Sequence, residues 1–254
     1  MDRTSSQPVD PRGSWCSYHR EPLTYFPALI ELVEITRHTG PVTAPVSGRS
    51  VGAHALLVEV DDAVAALALA TWARAVDIEA VEVVPGAASV LFDGVRDPAA
   101  LLRVLGDWTP GSALPPGELV EVQVVYDGAD LDFVAESWAL TTDEVVARHA
   151  ALEFVAAFCG FAPGFSYLSG LPDDLAVPRL DTPRSKLPAG SVALAGSWCG
   201  IYPTASPGGW RIIGRTDVVL WDQDRAQPAL LPPGTRVRFR DASSLGSATQ
   251  GLAT

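Results

Sequence analysis

Apolar residues along this chain fall into short runs whose spacing changes character near the middle. Ala55-Leu56-Leu57-Val58-Glu59-Val60 is a continuous β-type run, Asp61-Asp62 is a helix-start signal, and an Ala/Leu-rich stretch continues to about Val76, so a strand followed by a helix is predicted. Ile78 to Val84 and Ser89 to Phe92 are two further β-type runs separated by Pro85-Gly86, and Asp97-Pro98 supplies a cap and a first-turn proline for a helix through Trp108. The order β-α-β-β-α predicts a small α+β sandwich of ferredoxin-like type over residues 51–115. From Thr109-Pro110-Gly111 to Pro115-Pro116-Gly117 the chain reads as a Pro/Gly linker, which puts a domain division between residues 115 and 116.

The second half begins with a strand, Leu119 to Tyr126, and two helical stretches. One runs from Asp130 to about Trp138, and the other from Thr141 to Ala151 with Thr141 and Glu144 at capping-box spacing. From Phe154 helical periodicity disappears. Nine glycines and seven prolines between Gly160 and Thr216 disfavour helices, while short apolar runs such as Ser191 to Ala195 and Trp210 to Ile213 remain. Phe158, Phe161, Phe165, Tyr167, Trp198, Tyr202 and Trp210 are interleaved with them and give these loops the burial potential of a folded domain, so a mostly-β barrel with long shaped loops is expected over residues 116–254. Residues 1–50 carry six prolines among polar residues and one apolar island, Leu29 to Ile35, and are expected to form a poorly ordered N-terminal extension.

Composition narrows the functional classes. The 254 residues suffice for two ordinary domains, and 48% hydrophobic with 19% charged residues excludes disorder throughout. A net charge of −12 argues against a nucleic-acid or anionic-membrane partner, since both would be repelled by the averaged field. Cys16, Cys159 and Cys199 form neither a disulfide framework nor a Cys-x-x-Cys pair, and four scattered histidines give no metal site. No apolar run has the length of a signal sequence or a membrane helix, so a cytoplasmic location is expected.

One stretch departs from the acidic average. Arg179 to Arg215 contains Arg179, Arg184, Lys186, Arg211 and Arg215 against the single acid Asp181, and Lys186 is the only lysine in the chain. Guanidinium groups beside aromatic walls suit a small carboxylate or a phosphorylated group, because planar bidentate hydrogen bonds match both. Solvated loop charges, or partners for the acidic N-terminal half, are the alternative, and charge alone leaves both open. The loops Pro188-Ala189-Gly190-Ser191 and Ser206-Pro207-Gly208-Gly209-Trp210 allow close backbone approach to a ligand, or equally tight barrel corners. Gly164-Phe165-Ser166-Tyr167-Leu168 lacks the closing glycine of a nucleophile elbow, and neither a phosphate loop nor a dinucleotide fingerprint occurs.

Arg148-His149 with Glu153-Phe154, Gly160-Phe161-Ala162-Pro163-Gly164-Phe165-Ser166-Tyr167-Leu168, Thr182-Pro183-Arg184, Pro188-Ala189-Gly190-Ser191-Val192, Gly200-Ile201-Tyr202-Pro203 and Ser206-Pro207-Gly208-Gly209-Trp210 through Gly214-Arg215-Thr216 resemble the family called allophanate hydrolase subunit 1. The resemblance covers roughly residues 51–245; the extension of about fifty residues has no counterpart in it. It implies an N-terminal α+β domain and a C-terminal cyclophilin-like barrel. It further implies a component of an ATP-dependent 5-oxoprolinase complex that opens 5-oxoproline to glutamate, with an isolated chain that is inactive. ATP and magnesium are then held by the assembled complex. The implied partners are a second cyclophilin-like subunit, of the 5-oxoprolinase C type, together with an A-type subunit. On that reading Arg184, Lys186 and Arg215 bind the anion, Tyr202, Ser206 and Trp210 shape the pocket with Ser191 and Thr216, and His149 is a supporting polar group. The family also contains an inhibitor of a sporulation histidine kinase and a region of urea carboxylase. The alternatives are therefore a regulatory binding protein that docks through Phe165 and Tyr167, or a component of a urea- or allophanate-processing enzyme.

Overall fold

Two antiparallel strands, β1 (Ser47–Val51) and β2 (Ala55–Glu59), come first in a computed structural model that describes residues 47–109 and 117–243. Residues 1–46 of the expected extension, and the stretch 110–116 that contains the expected domain division, lie outside the described residues. Ser47 to Ser50, read from composition as extension, belong to β1 and pair with β2. All the described residues fall in one compact unit, Val42–Thr254.

Helix α1 (Ala63–Ala75) starts where Asp62 accepts a hydrogen bond from the Ala65 N–H at 2.8 Å, and α2 (Pro98–Leu105) starts where Asp97 caps Ala99 and Ala100 ahead of a first-turn proline. Between them lie β3 (Glu82–Pro85) and β4 (Ser89–Asp93), and the sheet order is β1-β2-β4-β3. The predicted β-α-β-β-α succession is present. The strand beside β2, however, is β1, which precedes it, rather than a strand following α2 as in a ferredoxin-like unit. Leu56, Val58, Val90 and Phe92 form the buried face of this sheet and pack with Leu69, Leu101, Leu105 and Trp108. Helix α1 is alanine-rich and buried on more than one side, touching β3 and β4 of this sheet and β6 (Glu153–Cys159) of the next.

The second sheet is built from β5 (Leu119–Val124), β6, β7 (Ser166–Ser169), β9 (Ser191–Ala195), β10 (Trp198–Ile201), β12 (Arg211–Arg215) and β13 (Arg236–Asp241). These seven strands lie in the order β12-β9-β10-β7-β6-β13-β5. Val125, just past one edge strand, and Arg215, on the other, exchange two backbone hydrogen bonds of 2.9 Å, so the sheet nearly closes into a barrel. Helices α3 (Leu131–Trp138) and α4 (Thr142–Ala151) follow β5, the second with a full capping box from Thr141 and Glu144.

All five residues of β9 are buried, which places it between two cores. Val192 and Leu194 face the barrel interior with Phe154, Leu168, Ile201, Ile213, Val237 and Phe239. Ala193 and Ala195 face outward under Phe165, Leu187, Tyr202 and Trp210. This outer cluster is covered by a two-stranded ribbon, β8 (Arg184–Leu187) with β11 (Ser206–Gly208). The barrel is thus filled, and its ring-rich surface is on the outer wall.

Candidate functional site

The outer wall becomes an aromatic platform because alternate residues of adjacent strands project to one side. Tyr167 on β7, Trp198 on β10 and Ile212 on β12 join the buried rings there. Phe165 meets Tyr167, Tyr202 and Trp210 edge-to-face at 5.1, 5.4 and 5.5 Å between centroids, and Phe158 stacks on Tyr167 at 4.4 Å. Gly200 makes this possible: a Cβ there would lie 2.9 Å from the Phe165 ring and 3.0 Å from that of Trp210. Burial pushes the Tyr202 phenol up to about 12, against the opposing influence of the Trp210 backbone N–H and of the nearby Arg179 and Arg184. Phe161, 60% exposed and held at φ +68°, stands at the rim against Phe165 and Tyr202.

Beside the platform is a node of charge centred on Asp130, only 5% exposed. Its carboxylate accepts both terminal nitrogens of Arg184 at 2.9 Å and the Ile212 N–H at 2.7 Å, with the Arg211 guanidinium at 3.7 Å. Burial alone would raise the Asp130 carboxyl; the Arg184 and Ile212 hydrogen bonds and the charges of Arg184 and Arg211 together hold it below the usual carboxylate range. Arg211 also lies over the Phe133 ring at 3.6 Å and donates to the Pro178 carbonyl at 3.1 Å. Asp130 is the N-cap residue of α3 but makes no capping hydrogen bond, its oxygens being turned to the arginines.

The predicted residues divide by position. Arg184, Tyr202 and Trp210 come together on this face. Lys186 is exposed on β8, and no carboxylate among the described residues is within ion-pair distance of it. The Ser206 hydroxyl, at the start of β11, is buried without a hydrogen-bond partner among the described residues. Arg215 pairs with Asp127 at 2.9 Å, four residues along β12 from Arg211 and so about 13 Å from it on an extended strand. Ser191 and Thr216 are buried structural hydroxyls: the first donates to the Pro188 carbonyl at 2.8 Å, and the second accepts the Val218 N–H at 3.3 Å.

His149 is fully buried in the barrel core. Its Nδ1 lies 2.8 Å from the Tyr126 hydroxyl and its Nε2 3.6 Å from the Cys199 thiol. Phe154 and Phe239 flank the imidazole, and burial brings it down to about 3. Phe165, expected on an exposed docking surface, is 2% exposed because it anchors the platform; Phe161 is the ring that reaches solvent and Tyr167 is half-buried. Ser166 is likewise buried, donating to the Leu231 carbonyl at 2.6 Å.

Sequence reasoning missed Asp127, Asp130 and Phe133. The two acids stand more than fifty residues before Arg184, and only the contact between β12 and the chain after β5 brings them to the basic stretch. Their one signal was position: two aspartates just before a helix, only one of which could cap it.

Comparison with known proteins adds three findings. Residues 46–231 match the family described as carboxyltransferase domain, subdomain C and D. Over 176 residues the chain is 42% identical to the B-type subunit of 5-oxoprolinase from Escherichia coli O157:H7, covering 65% of this chain and 80% of the relative; the protein of the same name from Haemophilus influenzae is 43% identical over 48% of this chain and 59% of its own length. Among solved structures, TTHA0988 superposes with a TM-score of 0.64 at 34% identity over 74% of this chain, which spans 40% of that one. The Kluyveromyces lactis urea carboxylase superposes with a TM-score of 0.58 over 80% of this chain and 22% of that chain, and at 19% identity the likeness concerns the fold alone.

Proposed function

Because the chain belongs to the carboxyltransferase subdomain C and D family, we propose that it serves as the B-type subunit of an ATP-dependent 5-oxoprolinase, which opens 5-oxoproline to glutamate. The observation that carries this reading is the 42% identity to the Escherichia coli B-type 5-oxoprolinase chain across 80% of that relative. The geometry supports it. 5-Oxoproline is a small, partly apolar ring bearing one carboxylate, and the outer wall of the barrel offers rings beside arginines. Urea has no carboxylate to use such a face.

In this proposal the barrel is cyclophilin-like and the first sheet is the permuted relative of a ferredoxin-like unit. The chain acts as one component of an assembly with a second cyclophilin-like protein of the C type and with an A-type partner, and the complex holds ATP and magnesium. ATP supplies the driving force for opening a resonance-stabilised lactam. This chain's residues bind and orient the anionic substrate and exclude water with the platform rings. Among the described residues no three His, Cys, Asp or Glu side chains are grouped as metal ligands.

The test is co-purification of the chain with the proteins encoded beside it, followed by an assay of glutamate release from 5-oxoproline. Release that requires both ATP and this chain is expected, with no turnover of urea. An assembly that consumes urea, or yields no glutamate from 5-oxoproline, contradicts the reading.

A further inference from the structure

The cations around the platform are not equivalent. Arg184 commits both terminal nitrogens to Asp130, Arg211 is shared among Asp130, Pro178 and Phe133, and Arg215 is paired with Asp127. A guanidinium whose fork is already occupied must give up charge-assisted hydrogen bonds to receive a substrate carboxylate. Arg179 carries no such commitment. It is exposed, and among the described residues no carboxylate lies within ion-pair distance of it.

Its backbone is fixed on both sides. Val177 exchanges hydrogen bonds with Gly196 at 3.1 and 2.7 Å, and the Leu180 N–H donates to the Gly209 carbonyl at 2.8 Å. The Arg179 guanidinium therefore sits above Gly209: a Cβ built on that glycine would lie 3.6 Å from Nη2 and 3.6 Å from the Pro183 ring. Gly208, the next residue back, pairs in register with Arg184 and lies against the Tyr202 hydroxyl. Gly209 immediately precedes the platform ring Trp210, so the guanidinium that overhangs it lies beside the platform. An open guanidinium, a fixed neighbouring one, and ring edges thus converge on one small area.

Resting on the 5-oxoprolinase reading above, we propose that Arg179 receives the substrate carboxylate, and that a lactam bearing an acid is selected here over one without it. Asp130 serves as a positioning residue that keeps Arg184 beside it. The bidentate contact to Arg179 displaces only water, whereas the same contact to Arg184 or Arg211 would strand the buried carboxylate of Asp130.

The wild-type chain, Arg179→Gln and Arg179→Lys, each purified with its partner proteins, are compared in ATP-dependent ring opening of 5-oxoproline and of 2-pyrrolidinone, the same lactam without the carboxylate. Arg179→Gln is expected to raise KM for 5-oxoproline at least about tenfold with kcat much less affected, and to erase the preference over 2-pyrrolidinone; Arg179→Lys restores part of both. An Arg179→Gln complex that assembles normally and keeps the wild-type KM and preference overturns the assignment while the enzymatic reading stands. Loss of assembly in the Gln variant overturns it too, by making Arg179 a partner contact. A wild-type assembly that does not open 5-oxoproline overturns the enzymatic reading, and the assignment with it.

Discussion

His149 was visible in the sequence as a polar residue on a helix, but its helix face could not be related to a barrel that was still unplaced. In the fold it is a neutral imidazole sealed among Tyr126, Cys199, Phe154 and Phe239, with its proton affinity brought down to about 3. The unfolded chain protonates this side chain near 6.5 while the folded one does not, so stability is present above that pH and is lost as pH falls. Asp130, Glu121 and Glu153 are held below their usual ranges and add their own losses only at pH values below about 4.5. Between pH 6.5 and 4.5 urea unfolding should therefore show a loss of about 2–3 kcal/mol due to His149, absent in His149→Gln. Equal slopes in the two proteins would place the imidazole in contact with water. The basic residues were likewise legible as a group, but not their neutralisation, because Asp127 and Asp130 reach them only through the tertiary fold.

Among the elements, those with local chemistry were readable in advance. The caps at Asp62 and Asp97, the Thr141–Glu144 capping box and the Pro85-Gly86 turn stand where the residues put them, because each depends on partners within a few positions. The role of β1 was hidden because Ser47–Val51 is short and polar, and its pairing with β2 depends on a turn rather than on apolar alternation. The barrel seam was also unreadable, since it joins Val125 to Arg215 across about ninety residues. Gly214 lies at that seam, where an added Cβ would stand 2.6 Å from the Val125 carbonyl and 2.9 Å from a Val124 methyl. Gly214→Ala is expected to pry β12 from the end of β5 and to cost about 1–3 kcal/mol in denaturant unfolding. An unchanged midpoint would mean that the seam does not contribute to closure.

At the scale of the whole molecule, the barrel interior is filled with side chains and the ring-rich cluster lies on its outer wall, where the proposed function puts the chemistry. Small barrels close on their own side chains, and here the closing core includes His149. The platform, the Asp130 node and the exposed Arg179 together bring arginines and rings to one face of an acidic chain, the face to which the proposed function assigns a small acid. Arginine-selective dicarbonyl labelling of the assembled complex, read by peptide mass spectrometry with and without substrate, tests this most directly. The account predicts that 5-oxoproline protects the Arg179–Arg184 segment and that 2-pyrrolidinone at the same concentration does not. Equal labelling of that segment in the presence and absence of 5-oxoproline, in a complex that turns it over, would contradict it.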